Sequence, residues 1–442
     1  MNVANEKIII TNRTVLAIAV PMTLAFLTTP LLGIVDTAVV GQFGDAAMIG
    51  GLAVGAIIFD VVFTTFNFLR TGTTGFVAQA MGRNDATEQQ AIFWRAIMLA
   101  VGIGVLFVLI SPWLQRAGLL AMAAAPAVGE TAMTYMSIRF LATPFALVNY
   151  VILGVLLGQG RAMATFVLQA LINGINIVLS LTLGLWMGWG VVGVAWATVI
   201  GETVVAIGAF LWIYHGFDRN AAPGWARIID RASFLRLIAV NRDIMIRSFA
   251  LLAAFFLFTR FGGQFGTVTL AANAILMNFF LLSAYFLDGL SAAAEQLAGR
   301  TLGAQQRDAF RQAIKRTCTM GFALSGVAAL VILVAGGAAI DVMTTAANVQ
   351  AAARDYLFWA ALTALTGVLA FQMDGIYIGA TWSVDMRNMM LLSLAVFVAL
   401  AWLLMPVLGN HGLWLALNGW LALRGLSLLV ILPRRMQQSF AA

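Results

Sequence analysis

The sequence predicts an all-α integral membrane protein, with twelve transmembrane helices in two six-helix lobes related by a pseudo-two-fold axis along the membrane normal. Composition is the first reason: 62% of the residues are hydrophobic and 10% are charged, and the mean hydropathy is +0.95. That is more apolar surface than a soluble domain can bury. The second reason is patterning. The apolar residues fall in successive runs of about 20 or more, each long enough to cross a ~30 Å hydrocarbon core as helix, and they lack the alternation of a membrane barrel. The third is an internal repeat, in which Gly41-Gln42-Phe43-Gly44 returns as Gly263-Gln264-Phe265-Gly266.

Taken in order, the spans are expected at 14–40, 46–69, 90–112, 131–156, 163–187, 190–214, 243–261, 268–290, 312–335, 353–378, 388–407 and 412–432. The second and eighth run on as helix through Arg83 and Arg300. The first span is too long for a cleavable leader, carries Lys7 and Arg13 ahead of it and lacks a small-residue cleavage end, so it is expected to target the chain itself. Between the sixth and seventh spans lies the longest polar connection, with Pro223, Gly224 and a run of arginines. It divides the chain into an N-terminal lobe (1–214), a cytoplasmic inter-lobe linker (215–242) and a C-terminal lobe (243–442). Trp225 to Asn241 reads either as an amphipathic surface helix or as a solvated linker.

The repeat extends beyond one tetrapeptide. Gly72 to Arg83 (GTTGFVAQAMGR) aligns with Gly289 to Arg300 (GLSAAAEQLAGR), Leu157-Gly158 with Ile378-Gly379, and Gly193-Val194-Ala195-Trp196 with Gly412-Leu413-Trp414, at an offset near 220 residues throughout. An even number of spans per repeat gives both halves the same orientation. The pseudo-two-fold along the membrane normal follows, with a cleft between the lobes.

Charge placement decides what the net +7 at pH 7 means. Arginines and lysines crowd alternate loops, from Lys7 and Arg13 to Arg434 and Arg435, while the opposite loops hold Arg116 and Arg354. The excess is topogenic, places both termini in the cytoplasm and removes the nucleic-acid reading. Cys318 is the single cysteine, which excludes an internal disulfide and a cysteine metal cage. There is no H-E-x-x-H, G-x-S-x-G or P-loop, and His215 and His411 fall at span ends, so no enzyme, catalytic residue, cofactor or metal site is expected.

Candidate chemistry lies in the polar residues inside the spans. Asp36 sits in LLGIVDTAVVGQFG, at bilayer depth, where a charge costs several kcal/mol unless it is paired, wetted or protonated. Pro21 and Pro30 precede it on the same helix, free the carbonyls near Ala17 and Phe26, and mark a place where that helix bends. Asn173, Asn176 and Ser180 share a face of the fifth span, and Thr198 and Glu202 are one turn apart on the sixth; these side chains either join helices or line an ion site. Asp374, in FQMDGIYIGAT, is either a second-lobe protonation or cation site or an intrabundle hydrogen-bonding group. Asp60 and Arg70, some three turns apart on the second span, each need a partner on another helix or a wet cavity; Glu202 lies nearer the cytoplasmic half, where it pairs, snorkels or takes part in coupling, and Arg260 lies near the outer end of the seventh span. Methionines and phenylalanines such as Met48, Phe59, Phe63, Met277 and Phe280 suit a pocket for flat aromatic cations or simply face lipid.

The segments PMTLAFLTTPLLGIVDTAVVGQFG, FLRTGTTGFVAQAMGRND, ANAILMNFFLLSAYFLDGLSAAAEQLAGRTLGA and MDGIYIGATWSVDMRNMMLLS resemble the multidrug and toxic compound extrusion (MATE) transporters, most of all their DNA-damage-inducible F (DinF-type) branch. The resemblance covers residues 10 to 435. It implies a monomeric secondary active antiporter of the bacterial inner membrane, exporting drug-like organic cations and amphipathic compounds in exchange for inward H⁺ or Na⁺. The family's coupling carboxylate falls on Asp36, its helix bend on Pro21 and its N-lobe polar cluster on Asn176 and Thr198. A second acid of that cluster is Ser180 here, and the seventh span lacks the acid that sodium-dependent relatives carry there. Both departures favour H⁺ over Na⁺, since hard cations prefer several charged oxygens. A lipid-linked precursor flippase is the alternative, with Arg70, Arg139, Arg260 and Arg424 as the residues that would meet a diphosphate.

Overall fold

The computed structural model describes residues 7–123 and 125–440, apart from the side chains of Val62 and Thr64. In the first half of the chain α1 (Asn12–Gly41) is followed by α2 (Ala46–Thr64), a single 3-10 turn (Thr65–Asn67), α3 (Phe68–Gly82), α4 (Ala86–Met122), α5 (Pro126–Leu141), α6 (Thr143–Gly158), α7 (Ala162–Leu179), a π-helical segment (Ser180–Trp186) and α8 (Gly190–His215). After the short α9 (Trp225–Ile228) come α10 (Arg231–Gly262), α11 (Thr267–Gly303), α12 (Arg307–Met343), α13 (Ala347–Gly379), α14 (Ser383–Leu408) and α15 (Asn410–Phe440). No strand occurs among the described residues.

Among the described residues eleven helical stretches are long and apolar enough to cross a membrane, and α5 with α6 makes a twelfth that is bent by 53°. Pro144, in the first turn of α6, causes the break: it has no N–H to donate and its ring would clash with the carbonyl one turn back. Leu109, Val334, Trp402 and Val430 are each largely exposed. On a soluble protein such side chains would be a liability; on membrane helices they meet acyl chains.

The repeat is written into the backbone. Positive φ angles occur at Gly44, Asn84, Gly160 and Gly188 in the first half, and at Gly266, Gln305, Thr381 and Gly409 in the second. Each pair ends corresponding helices at the same offset of about 220 residues. Helix contacts repeat as well. Gly154 and Gly158 of α6 seat against the carbonyls of Arg70 and Thr74 on α3, where a Cβ would come within 2.4 and 2.8 Å. Gly375 and Gly379 of α13 do the same against Ser291 and Glu295 on α11, at 2.3 and 2.1 Å. A Gly-x-x-x-Gly stripe lets two backbones approach where the surrounding lipid supplies no hydrophobic drive to pack.

The chain folds into two compact units, and their limits differ from the 1–214, 215–242 and 243–442 division. One unit is Leu24–Ile238; the chain up to Thr23 packs with Ala239–Ala442 in the other. The physical reason is local to the second unit. Gly289 of α11 lies so close to α1 that a Cβ would fall 1.9 Å from Thr23 Oγ1 and 2.8 Å from the Ala19 carbonyl. Ile8 N–H donates to Gln306 at 2.7 Å, and Arg316 donates to Asn12 at 2.6 Å. The core of that unit gathers Phe258, Phe280, Phe397, Trp414 and Trp420.

The segment from Trp225 to Asn241 is not one surface helix. Asp230 accepts from Ser233 N–H at 2.8 Å and caps a new helix, α10, so α9 stops after four residues. Arg95 of α4 fastens α9 by donating to the carbonyls of Arg227 at 2.7 Å and Ile228 at 3.1 Å. Arg227 in turn pairs with Asp85 and Glu88.

The glycine stripes supply a test. Gly154→Ala and Gly375→Ala should each destabilise the protein by about 1–3 kcal/mol through overpacking, read as a lower melting temperature in detergent. Gly208→Ala, whose Cβ meets nothing within 4 Å, should not lower that temperature, since alanine is the better helix former.

Candidate functional site

Within Leu24–Ile238, helical spacing brings the acid of α1 to the polar face of α7. Gly184, in the π-helical segment, has room only for hydrogen: a Cβ there would lie 2.7 Å from Val39 of α1, and Gly193 of α8 approaches the Gly184 backbone to 2.6 Å in the same sense. These contacts draw α1, α7 and α8 together. The π-helical widening begins at Ser180, a kind of irregularity that recurs at functional positions.

Asp36 is buried, with 7% exposure. Ser180 Oγ lies 2.9 Å from Asp36 Oδ1 and 3.2 Å from Asn176 Oδ1. A hydroxyl has one hydrogen, so it donates to one of these oxygens at a time. Asn176 Nδ2 donates to Thr198 Oγ1 at 2.7 Å, and the Thr198 hydroxyl lies 3.3 Å from the Val194 carbonyl. Asp36, Ser180, Asn176 and Thr198 therefore form one polar cluster across three helices, in which the Ser180 hydrogen goes to either Asp36 or Asn176. Asn173 stands outside it: its Nδ2 donates to Thr28 Oγ1 at 2.7 Å, and Gln169 donates to its carbonyl oxygen at 3.2 Å.

Among the described residues no basic group lies within ion-pair distance of Asp36. Arg139 of α5 acts electrostatically on Asp36, Asp60 and Glu202. Its guanidinium is held elsewhere, donating to Tyr135 Oη at 2.8 Å and lying 4.1 Å from the Phe59 ring centroid. Phe59 stacks on Phe63 at 4.0 Å, so an aromatic face is already engaged with a cation. Composition did not single out Thr28, Gln169 or Tyr135, and Arg139 entered only as a possible phosphate contact. Thr28 was findable, since it stands about two turns before Asp36 on one helix.

The other intramembrane groups find separate places. α1 stays helical through Pro21 and Pro30, with Thr28 donating to the Ala25 carbonyl at 2.7 Å. Arg70 Nε donates to Asn67 at 2.9 Å; Asp60 and Arg260 are exposed; Glu202 leaves Oε2 without a hydrogen-bond partner. Asp374 belongs to the other unit and is bound by Arg247 and Arg424. It is an ion-paired carboxylate and not an open one.

Two related bundles of membrane-length helices, with a single acid held in an amide and hydroxyl network, have the build of a membrane transporter. The MatE family model matches the chain twice, at residues 21–182 and 244–403, and the chain belongs to that family, whose members are transporters and not enzymes. DNA damage-inducible protein F of Escherichia coli (strain K12) is 37% identical over 428 residues, 96% of this chain and 93% of that protein. The probable multidrug resistance protein NorM of Chromobacterium violaceum is 24% identical over 464 residues, 98% and 95% of the two chains. A solved structure of a multidrug resistance MATE family transporter in an outward-facing conformation superposes with a TM-score of 0.87 at 17% identity, covering 98% of this chain and 97% of that one. That last likeness is one of fold.

The hydrogen bond between Asn176 and Thr198 is measurable by itself. A double-mutant cycle of Asn176→Ala with Thr198→Val, read by unfolding in detergent, should return a coupling of about 0.6 kcal/mol, the usual size for such a bond between membrane helices. Independent, additive effects would show that the bond contributes nothing.

Proposed function

We propose that the chain is a secondary active antiporter of the bacterial inner membrane that exports organic cations and other amphipathic compounds in exchange for inward protons, with Asp36 as the protonation-coupled residue. The observation that carries this reading is the partner of Asp36. A buried carboxylate whose side-chain partner among the described residues is a neutral hydroxyl is free to exchange a proton, whereas one clamped by arginines is not. Support for the cargo comes from the relatives, several of which are multidrug resistance or export proteins by name. The crowding of arginines in alternate loops supports cytoplasmic termini.

The polar cluster supplies a mechanism. With Asp36 ionised, the Ser180 hydroxyl donates to Asp36 Oδ1. Once Asp36 takes a proton it becomes the donor to Ser180 Oγ, and the Ser180 hydrogen turns to Asn176 Oδ1. Protonation thus reverses the hydrogen bond between Asp36 and Ser180, adds the one from Ser180 to Asn176, and removes the negative charge that attracts a cationic cargo. Proton uptake and cargo release then compete for one group. Pro21 and Pro30 give α1 the means to bend with this change, because the carbonyls of Ala17 and Phe26 have no proline N–H to bind.

Na⁺ is the less favoured ion. The oxygens gathered on Asp36, Ser180, Asn176 and Thr198 carry one formal charge, and Ser180 supplies only a hydroxyl where a second carboxylate would strengthen a hard-cation site.

In proteoliposomes with independently clamped H⁺ and Na⁺ gradients, dye efflux should follow the pH gradient, and Asp36→Asn should abolish it. Wild-type rates in Asp36→Asn would refute the assignment. Efflux that follows an imposed Na⁺ gradient at equal pH would contradict the choice of ion while leaving the antiport reading in place.

A further inference from the structure

In the unit formed with Ala239–Ala442, three helices bring together Arg247 of α10, Asp374 of α13 and Arg424 of α15. Both guanidinium groups donate through Nη2 to the same carboxylate oxygen, Asp374 Oδ2. The other oxygen, Oδ1, has no hydrogen-bond partner, and neither has Nε of Arg247 or Nε of Arg424. Arg424 is 2% exposed and Asp374 4%, while the Arg247 side chain keeps 15% of its surface open. The cluster is therefore buried on one side and reachable on the other.

Its charges and its hydrogen bonds are out of balance in the same direction. Two guanidinium groups share one carboxylate inside membrane-length helices, where an uncompensated charge costs several kcal/mol. Asp288 acts electrostatically on Arg424 but is also engaged in an interaction of its own. Around the arginines stand aromatic faces: the Arg424 guanidinium carbon lies 5.8 Å from the Phe371 ring centroid and 5.7 Å from that of Trp420. The buried Trp420 Nε1 also lacks an acceptor. Unused donors outnumber unused acceptors, and planar guanidinium forks match oxyanions.

We propose that Arg247 and Arg424 form an oxyanion site, suited to the carboxylate, sulfonate or phosphate of an amphipathic molecule, and that Asp374 occupies it in the resting protein as a tethered competitor. Phe371 and Trp420 favour an anion attached to an aromatic or apolar body. The site is separate from the Asp36 network and requires nothing of it. Two sources share this chemistry, a transported organic anion or zwitterion and the headgroup of an anionic lipid.

The test uses the full chain, purified in detergent, with benzoate and inorganic phosphate as probes at matched ionic strength. Asp374→Asn should lower the melting temperature, and benzoate should restore it saturably, at a concentration about ten-fold below that needed to shift the wild type. Adding Arg247→Gln to Asp374→Asn should remove the restoration. If phosphatidylglycerol nanodiscs restore Asp374→Asn where phosphatidylcholine nanodiscs and benzoate do not, the oxyanion is a headgroup and the site stands. Absence of restoration by benzoate, phosphate and phosphatidylglycerol alike would reduce the cluster to a structural ion pair and overturn the proposal, as would equal restoration in the Arg247→Gln double variant. A second reading does not depend on Asp374→Asn folding: benzoate should quench wild-type tryptophan fluorescence saturably, and Trp420→Phe or Arg247→Gln should abolish that component. Absence of a saturable fluorescence change with benzoate and with phosphatidylglycerol alike, or a change that persists in both variants, overturns the proposal equally.

Discussion

A charge inside membrane helices is costly unless it is paired, wetted or protonated, and the two units surround Asp36 and Asp374 differently. Asp374 receives two guanidinium groups; Asp36 receives a serine hydroxyl. The first arrangement fixes the charge in place. The second leaves protonation open, because a hydroxyl stabilises an ionised acid by no more than one hydrogen bond and accommodates the neutral acid as readily. Much else in the Leu24–Ile238 unit follows from holding that hydroxyl in position: the π-helical widening at Ser180, the bare backbone at Gly184 and the anchoring of Asn176 by Thr198.

Duplication explains how one architecture serves both purposes. The same glycine stripes bring α6 onto α3 and α13 onto α11, and the same positive-φ residues close corresponding turns. The scaffold is repeated, but the polar groups inside it are not. Where one unit sets amides and hydroxyls beside its acid, the other sets arginines. Divergence of a few side chains on a shared frame changes the electrostatics without disturbing the packing that holds the helices together.

Membrane spans and the repeat were legible because they depend on local composition and on sequence compared with itself. The recurrence of Gly41-Gln42-Phe43-Gly44 corresponds to two turns closed by Gly44 and Gly266, both at positive φ, where a side chain would be strained. Asp36 was singled out by its depth in the first span. Its neighbours were legible only in part, since helical spacing tells which residues of one helix share a face but not which helix that face meets. Asn173 lies on the face of Asn176 and Ser180, yet it bonds Thr28 and not Asp36. The partners of Asp374 lie 127 and 50 residues away in sequence, beyond any local pattern. The limits of the compact units were hidden for the same reason: they depend on Gly289 meeting Thr23 and Ala19, a contact between distant segments.

The measurement closest to the central claim is infrared difference spectroscopy of the reconstituted protein during a pH titration. If proton exchange at Asp36 drives the cycle, acidification must produce a protonated-carboxyl carbonyl band that is absent from a variant carrying asparagine at that position, and saturating cargo must diminish it. A spectrum with no such band, or one that the asparagine variant reproduces in full, would show that the acid of α1 does not exchange a proton and that coupling lies elsewhere.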